Sequence, residues 1–271
     1  MESSKHPQKP EARLVITGTG IQLGRHMTGR VQTELDQADV ILAMMDDFSL
    51  CWLQQKYPDL INLSQFYGKD GEKDRRQTYQ EMEDAILAPL RMGKRVCAIF
   101  YGHPGVFADV THAAVKKARQ EGYEAIMEPA ISADACLYAD LCIDPGLYGI
   151  QAYEATQFLV YDRPLDPSST LILWQVGVVG DLSCKKFHTQ PENVRALVEK
   201  LKRWYPADHE VILYEAAVLP IEGHREERLP LNRLPEAEFR TITTLVIPPA
   251  DSWLPDLDAL EALGVTADAL P

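Results

Sequence analysis

No apolar run in this 271-residue chain approaches the roughly 20 residues that a membrane-spanning helix needs. The opening stretch, MESSKHPQKPEAR, carries charge but no apolar segment. That excludes a secretory signal and reads as a disordered arm over residues 1–12. Basic charge is scarce: 27 Lys and Arg stand against 40 Asp and Glu, for a net charge of −13. Nucleic-acid binding is built on clustered Lys and Arg, so a phosphate backbone is not the expected partner. There are 5 cysteines and no CxxC pair. This speaks against a metal site or disulfide framework and for a reduced, cytoplasmic protein. Cys97 lies in the apolar run VCAIFY and reads as a small buried hydrophobe. Internal repeats and low-complexity tracts are lacking as well.

What is present suits a globular chain: 46% hydrophobic and 25% charged residues, and enough length to bury a core without staples. Residues 13–17 (RLVIT) form a short apolar run that leads into the loop GTGIQLG. Helix-like VQTELDQAD and a second apolar run over 40–44 follow. The order strand, loop, helix, strand opens a parallel α/β sheet. Helices are expected over 47–57 and from the second half of QFYGKDGEKDRRQTYQEM to Met92. A strand over 95–101, the loop GHPGVF, the helix HAAVKKARQ and the strand YEAIME come next. The link from Pro129 to Ser132 divides an N-terminal α/β domain (13–128) from a C-terminal one (130–250). The second has strand candidates at QFLVYD, TLILWQV, HEVILYEAA and ITTLVIP, with helices over 132–141 and 192–205. More strands per helix predict a mixed, partly antiparallel sheet. The tail over 251–271 is acidic, and its leucines suit a short helix.

Gly18, Gly20 and Gly24 form GxGxxxG, not the dinucleotide pattern GxGxxG. Such glycines let the backbone approach a ligand or a neighbouring strand. The loop is therefore either a cofactor or substrate edge, or a tight turn at the sheet's carboxyl end. Ribose recognition wants an acidic residue about 20 positions on. Asp39 precedes the second strand instead of ending it, which argues against a nicotinamide-dependent oxidoreductase. Residues 101–107 follow a central strand, where open α/β sheets bind ligands. There His103 reads as a general base or as a polar contact that stabilises the turn. Asp109 and His112 lack partners at ligand spacing, so no metal site is expected.

Tyr67, Arg75 and Tyr79 stand out in the polar segment. Arg75 and Tyr79 are i, i+4, about 5–6 Å apart on one helical face. Tyr67 lies across the Gly68–Gly71 turn and can fold back toward them. An arginine beside a tyrosine hydroxyl favours the phenolate, which suits a difficult deprotonation. The same residues also fit a solvated amphipathic helix.

The glycine loop, FYGHPGVF, the helix start SADACLYADL and a strand ending WQVG together resemble the tetrapyrrole methylase fold. FYGHPGVF, ADLCIDP, YEATQFLVYDRP, WQVGVVG and VIPP are similar to one branch of it. That branch is the borosin-type peptide backbone α-N-methyltransferases, and the resemblance spans about residues 12–250. It implies two α/β domains with the cofactor cleft between them, S-adenosyl-L-methionine as cofactor, and a homodimer. By the same resemblance the cofactor touches Tyr101, His103, Val106, Ser132, Ala133, Gln175, Tyr214, Ala216, Thr243 and Thr244. Ser132 also reads as a helix cap, and the threonines as simple strand formers.

Borosin-type enzymes carry catalytic tyrosines and an arginine spaced R-x-x-x-Y, which Arg75 and Tyr79 match. Tyr67 matches the second tyrosine of the family's Y-x-x-Y, while Ser64 replaces the first. A peptide nitrogen is a poor nucleophile because its lone pair is delocalised into the carbonyl. Its methylation calls for a base, expected to be Tyr79 assisted by Arg75, and a donor to the carbonyl oxyanion, expected to be Tyr67. The two tyrosines can exchange roles. Many borosin proteins carry their substrate as a C-terminal extension. Here the acidic residues 250–271 do not read as a tethered core peptide, so a separate precursor peptide, modified in trans, is expected. The alternatives are a tetrapyrrole or other small-molecule methyltransferase of the same fold, or a non-catalytic peptide-binding scaffold.

Overall fold

The computed structural model describes residues 12–68, 73–183, 185–186 and 188–270. The arm expected over 1–12 lies almost wholly outside the described residues, as does most of the Gly68–Gly71 turn. The chain forms two compact units. The first runs through Ile143 and takes in two later segments, one beginning at Asp181 and one over Glu215–Arg225. The units therefore part after Ile143 and not at the Pro129 link.

The first unit contains β1 (Arg13–Gly18), α1 (Gly29–Gln37), β2 (Val40–Met44), α2 (Asp47–Gln54), β3 (Ile61–Asn62), α3 (Arg75–Arg91), β4 (Val96–Phe100), α4 (Asp109–Gln120), β5 (Glu124–Met127) and α5 (Ala133–Asp140). Its strands pair in the order β3-β2-β4-β1-β5, every described pair parallel. All of β4 is buried, as a strand covered by helices on both faces must be. Ala98 and Phe100 join the core with Met82, Ile86 and Ala114. The alternate residues Cys97 and Ile99 join Val31, Leu35 and Leu53 on the other side. Burial pushes the Cys97 thiol up to about 12, in keeping with an inert core residue. Asp46 opens α2 by accepting from the Ser49 N–H at 3.0 Å, and Asp74 opens α3 through the Arg76 N–H at 2.9 Å.

The remaining elements are α6 (Pro145–Tyr148), β6 (Ile150–Glu154), α7 (Ala155–Val160), β7 (Thr170–Trp174), α8 (Pro191–Leu201), β8 (Glu210–Glu215), β9 (Arg225–Pro230), β10 (Thr244–Ile247) and α9 (Leu257–Leu263). Their sheet runs β6-β7-β10-β8-β9 and is mixed. β6 lies parallel to β7, and β10 lies antiparallel to both β7 and β8. Val194, Leu197, Val198 and Leu201 of α8 cover it. The segment QFLVYD, expected as a strand, instead gives its first four residues to α7. Glu154 caps the first turn, its carboxylate accepting from the N–H groups of Thr156 (2.9 Å) and Gln157 (2.7 Å). The buried Lys200 ammonium closes the last turn by donating to the carbonyls of Phe158 (2.6 Å), Leu159 (3.1 Å) and Tyr161 (2.5 Å). Lys200 lies 42 residues beyond Phe158, remote from the apolar run that suggested a strand. In the tail α9 forms, with Leu257 and Leu263 exposed. Among the described residues no helix is long and apolar enough to cross a membrane.

Candidate functional site

Among the loops that leave the carboxyl edge of the first sheet, those after β1, β4 and β5 come together. Glycine is what lets them meet. Gly20 and Gly102 exchange backbone hydrogen bonds at 3.3 and 3.1 Å, both in the left-handed region. A Cβ on Gly18 would stand 2.0 Å from the Gly102 carbonyl oxygen and 2.9 Å from both Pro104 and Ala130. The β1 loop thus holds the GHPGVF loop and the link to α5 in register. Asp39, weighed as a ribose ligand, is at the opposite edge of the sheet. Its carboxylate accepts from the Arg95 N–H at 2.8 Å and fixes the start of β4.

Tyr101 leaves the end of β4, and burial, with Cys136 and Asp46 adding to it, pushes its hydroxyl up to about 12. The Gly105 N–H donates to His103 Nδ1 at 2.9 Å. That is the turn-stabilising reading of His103, and it leaves the ring proton on Nε2. Val106 is exposed in the same loop. Ser132 precedes α5 and is buried, yet its side chain makes no capping bond. Its sequence reading as a cap does not hold, and the hydroxyl lies at the amino end of α5 beside Ala133. Ala216 follows β8 in a segment that belongs to this first unit.

In the second unit the register gathers Gln175, Tyr214, Thr243 and Thr244 at one sheet edge. Leu245 pairs with Leu173, and Thr244 with Tyr214. The carboxyl ends of β7 and β8 therefore flank the amino end of β10. Gln175 is left-handed at φ 58°, a conformation that non-glycine residues seldom adopt away from functional sites. Gly177 admits the Arg240 carbonyl, which would lie 1.8 Å from a Cβ there. Thr243 is buried and accepts from the Arg240 N–H at 2.7 Å, so it is more than a strand former.

The tyrosine–arginine cluster forms at the start of α3. Tyr67 closes a 3-10 turn over Leu63–Phe66, and Lys73 fastens the following chain by donating to the Phe66 carbonyl (2.5 Å) and to Glu81 (2.6 Å). Tyr67 and Tyr79 both pack half-buried against the first core. Burial raises the Tyr67 pKa well above the usual tyrosine value, and the Tyr79 hydroxyl bonded to it adds to the effect against a smaller opposing pull from Arg75. Ser64 lies in the same turn, its hydroxyl 3.5 Å from the Met44 sulfur.

Sequence reasoning missed Asp181. Its carboxylate stands 3.3 Å from the Arg75 guanidinium and is only 4% exposed. Burial would raise its pKa, but the Ser183 hydroxyl, the backbone N–H groups of Lys186 and Ser183, and the Arg75 charge outweigh that and hold it low. The backbone donors approach to 3.0 Å each. An aspartate following the glycines of WQVGVVG was the only available signal, and its partner lies 106 residues away.

Comparison with known proteins gives the family and the fold. The family described as Tetrapyrrole (Corrin/Porphyrin) Methylases matches residues 13–229. A methyltransferase/ribosomally synthesized type I borosin cyclic peptide precursor of Coprinopsis marcescibilis is 39% identical over 92% of this chain and 64% of its own length. A methyltransferase/ribosomally synthesized cyclic peptide gymnopeptides precursor of Gymnopus fusipes is 37% identical over 100% of this chain and 65% of its own. The chain thus spans just under two thirds of the length of these relatives. The uroporphyrin-III C-methyl transferase of Thermus thermophilus, solved with S-adenyl homocysteine, superposes with a TM-score of 0.59 at 17% identity, over 87% of this chain and 92% of that one.

Proposed function

This chain belongs to the tetrapyrrole methylase family, and on that premise we propose that it methylates backbone amide nitrogens of a ribosomally made precursor peptide, using S-adenosyl-L-methionine. The observation that carries the reading is the cluster of Tyr67, Tyr79, Arg75 and Asp181 at the head of α3. An amide nitrogen must lose its proton while its carbonyl oxygen gains charge. Tyr67, held protonated by burial and by the Tyr79 contact, is suited to donate to that oxygen. Tyr79 is then the general base that takes the N–H proton. Arg75, oriented by Asp181, offsets the negative charge that develops beside it.

The donor set suits an uncharged nucleoside joined to an amino acid. Ser132 offers a hydroxyl at a helix amino end, which favours a carboxylate, and Gln175, Thr243 and Thr244 are neutral. Tyr101, His103, Val106, Ala133, Tyr214 and Ala216 complete the proposed contacts. When bound, S-adenosyl-L-methionine supplies a methyl group activated on a sulfonium. The protein contributes alignment and the proton movements.

The named relatives combine methyltransferase and precursor in one polypeptide. For this chain we propose action in trans on a separate peptide, by a homodimer. The test is to incubate the 271-residue protein with S-adenosyl-L-methionine and an apolar peptide, and to sequence the products by tandem mass spectrometry. Methyl groups on backbone nitrogens of the added peptide are expected. They should be lost in Tyr79→Phe, which should still bind S-adenosylhomocysteine. Methylation confined to the chain's own tail would refute the trans arrangement. Methylation of a tetrapyrrole and not of peptides would replace the substrate class. Light scattering of the purified protein checks the dimer.

A further inference from the structure

The glycine loop takes no part in the proton transfers, yet it is held in a demanding conformation. Gly20 is left-handed at φ 68°, and a Cβ there would lie 2.3 Å from the Cβ of His26. That close approach folds His26 back on its own loop. Gln22 N–H donates to His26 Nδ1 at 3.2 Å, so the ring proton sits on Nε2. Burial, with the Arg25 charge adding to it, lowers the His26 pKa and favours the neutral ring. Arg25 donates to the Gln22 side chain at 3.2 Å.

These residues form one wall of a cavity of about 510 Å³ within the first unit. Ala135, Cys136 and Ala139 of α5 supply an apolar lining of small side chains. Asp140 and Glu222 bring carboxylates, and His224 Nδ1 stands 3.7 Å from Asp140 Oδ1. None of the expected catalytic or cofactor residues lines this space. Its volume falls within the range of about 300–1,000 Å³ usual for ligand pockets. The lining thus holds both donors and carboxylate acceptors, which match an amide with its one C=O and one N–H.

We propose that this cavity docks the substrate peptide, holding an apolar side chain against Ala135 and Ala139 and a neighbouring amide by the donors Arg25 and His26 and the acceptors Asp140 and Glu222. The assignment rests on the peptide-methylating function and adds where the substrate is gripped.

Cys136 is a built-in reporter. A thiol reagent is applied to the protein alone, with a synthetic valine- and leucine-rich peptide, or with S-adenosylhomocysteine, and labelling is followed by mass spectrometry against the exposed Cys51 and Cys142. The peptide is expected to slow Cys136 labelling about tenfold, the nucleoside to leave it unchanged. Protection by the nucleoside alone, or by neither, overturns the proposal. Ala139→Phe should raise the KM for the peptide at least about tenfold while S-adenosylhomocysteine binds as before; an unchanged KM overturns it too. Peptide protection without methylation by the wild-type protein would sink the enzymatic reading and leave the docking site standing. Methylation without protection would do the reverse.

Discussion

Asp181 does at the residue scale what no spacing rule could announce. A guanidinium on a long, flexible stem is a diffuse charge until something fixes it, and a buried carboxylate held by backbone N–H groups does so. Asp181→Asn keeps the shape and removes the charge. We expect kcat for peptide methylation to fall about tenfold, close to 1.4 kcal/mol of barrier. The pH–rate profile should also move to lower pH. With the carboxylate gone, the positive charge of Arg75 is less offset at the tyrosines and favours their ionisation. The other charged groups of this neighbourhood, Lys73, Asp74, Arg76, Glu81, Lys185 and Lys186, are untouched by the change. A profile and kcat identical to wild type would remove Asp181 from the mechanism.

Helix α7 shows the same principle at the scale of elements. Its six residues, ATQFLV, are too few to hold a helix by propensity alone. Glu154 satisfies the first N–H groups and Lys200 the last carbonyls, so each end is fixed by a charged partner. Lys200→Met would leave three carbonyl oxygens, that of Phe158 buried, without this donor. The expected loss is about 2–3 kcal/mol, measured as a lower urea midpoint with an unchanged m-value. The tyrosine–arginine cluster proposed for catalysis sits in the other unit, so methylation assayed well below the transition should persist.

For the whole molecule, buried phenols set an upper limit on pH. Burial raises the pKa of Tyr67, Tyr101 and Tyr205 above the usual value of 10. The folded chain therefore keeps protons that the unfolded chain releases. Their contribution is complete below pH 10 and is lost as pH rises toward the folded values. Urea midpoints should be flat from pH 8 to about 9.5 and fall steeply by pH 11. The buried Tyr205 hydroxyl has no hydrogen-bond partner among the described residues, so Tyr205→Phe should soften the alkaline fall at little or no cost at pH 8.

The sequence by itself determined four of the five strands of the first sheet closely, but not the extent of the first unit. Fully buried strands need unbroken apolar runs, and glycine is needed wherever two backbones touch, so RLVIT, VILAM, VCAIFY and the loop glycines are legible without coordinates. The i, i+4 spacing of Arg75 and Tyr79 on a helix is also a local fact, whereas the roles proposed for them and for Tyr67 came from the family resemblance. It misread QFLVYD, and it passed over β6 and β9, whose mixed polar and apolar residues carry no strong period. Only the tertiary structure supplied Asp181 to Arg75, Lys200 to α7, and the left-handed turn that presses His26 onto the cavity wall. Each of those depends on a charge, a carbonyl or a collision between residues brought together by folding, and such pairings have no signature along the chain.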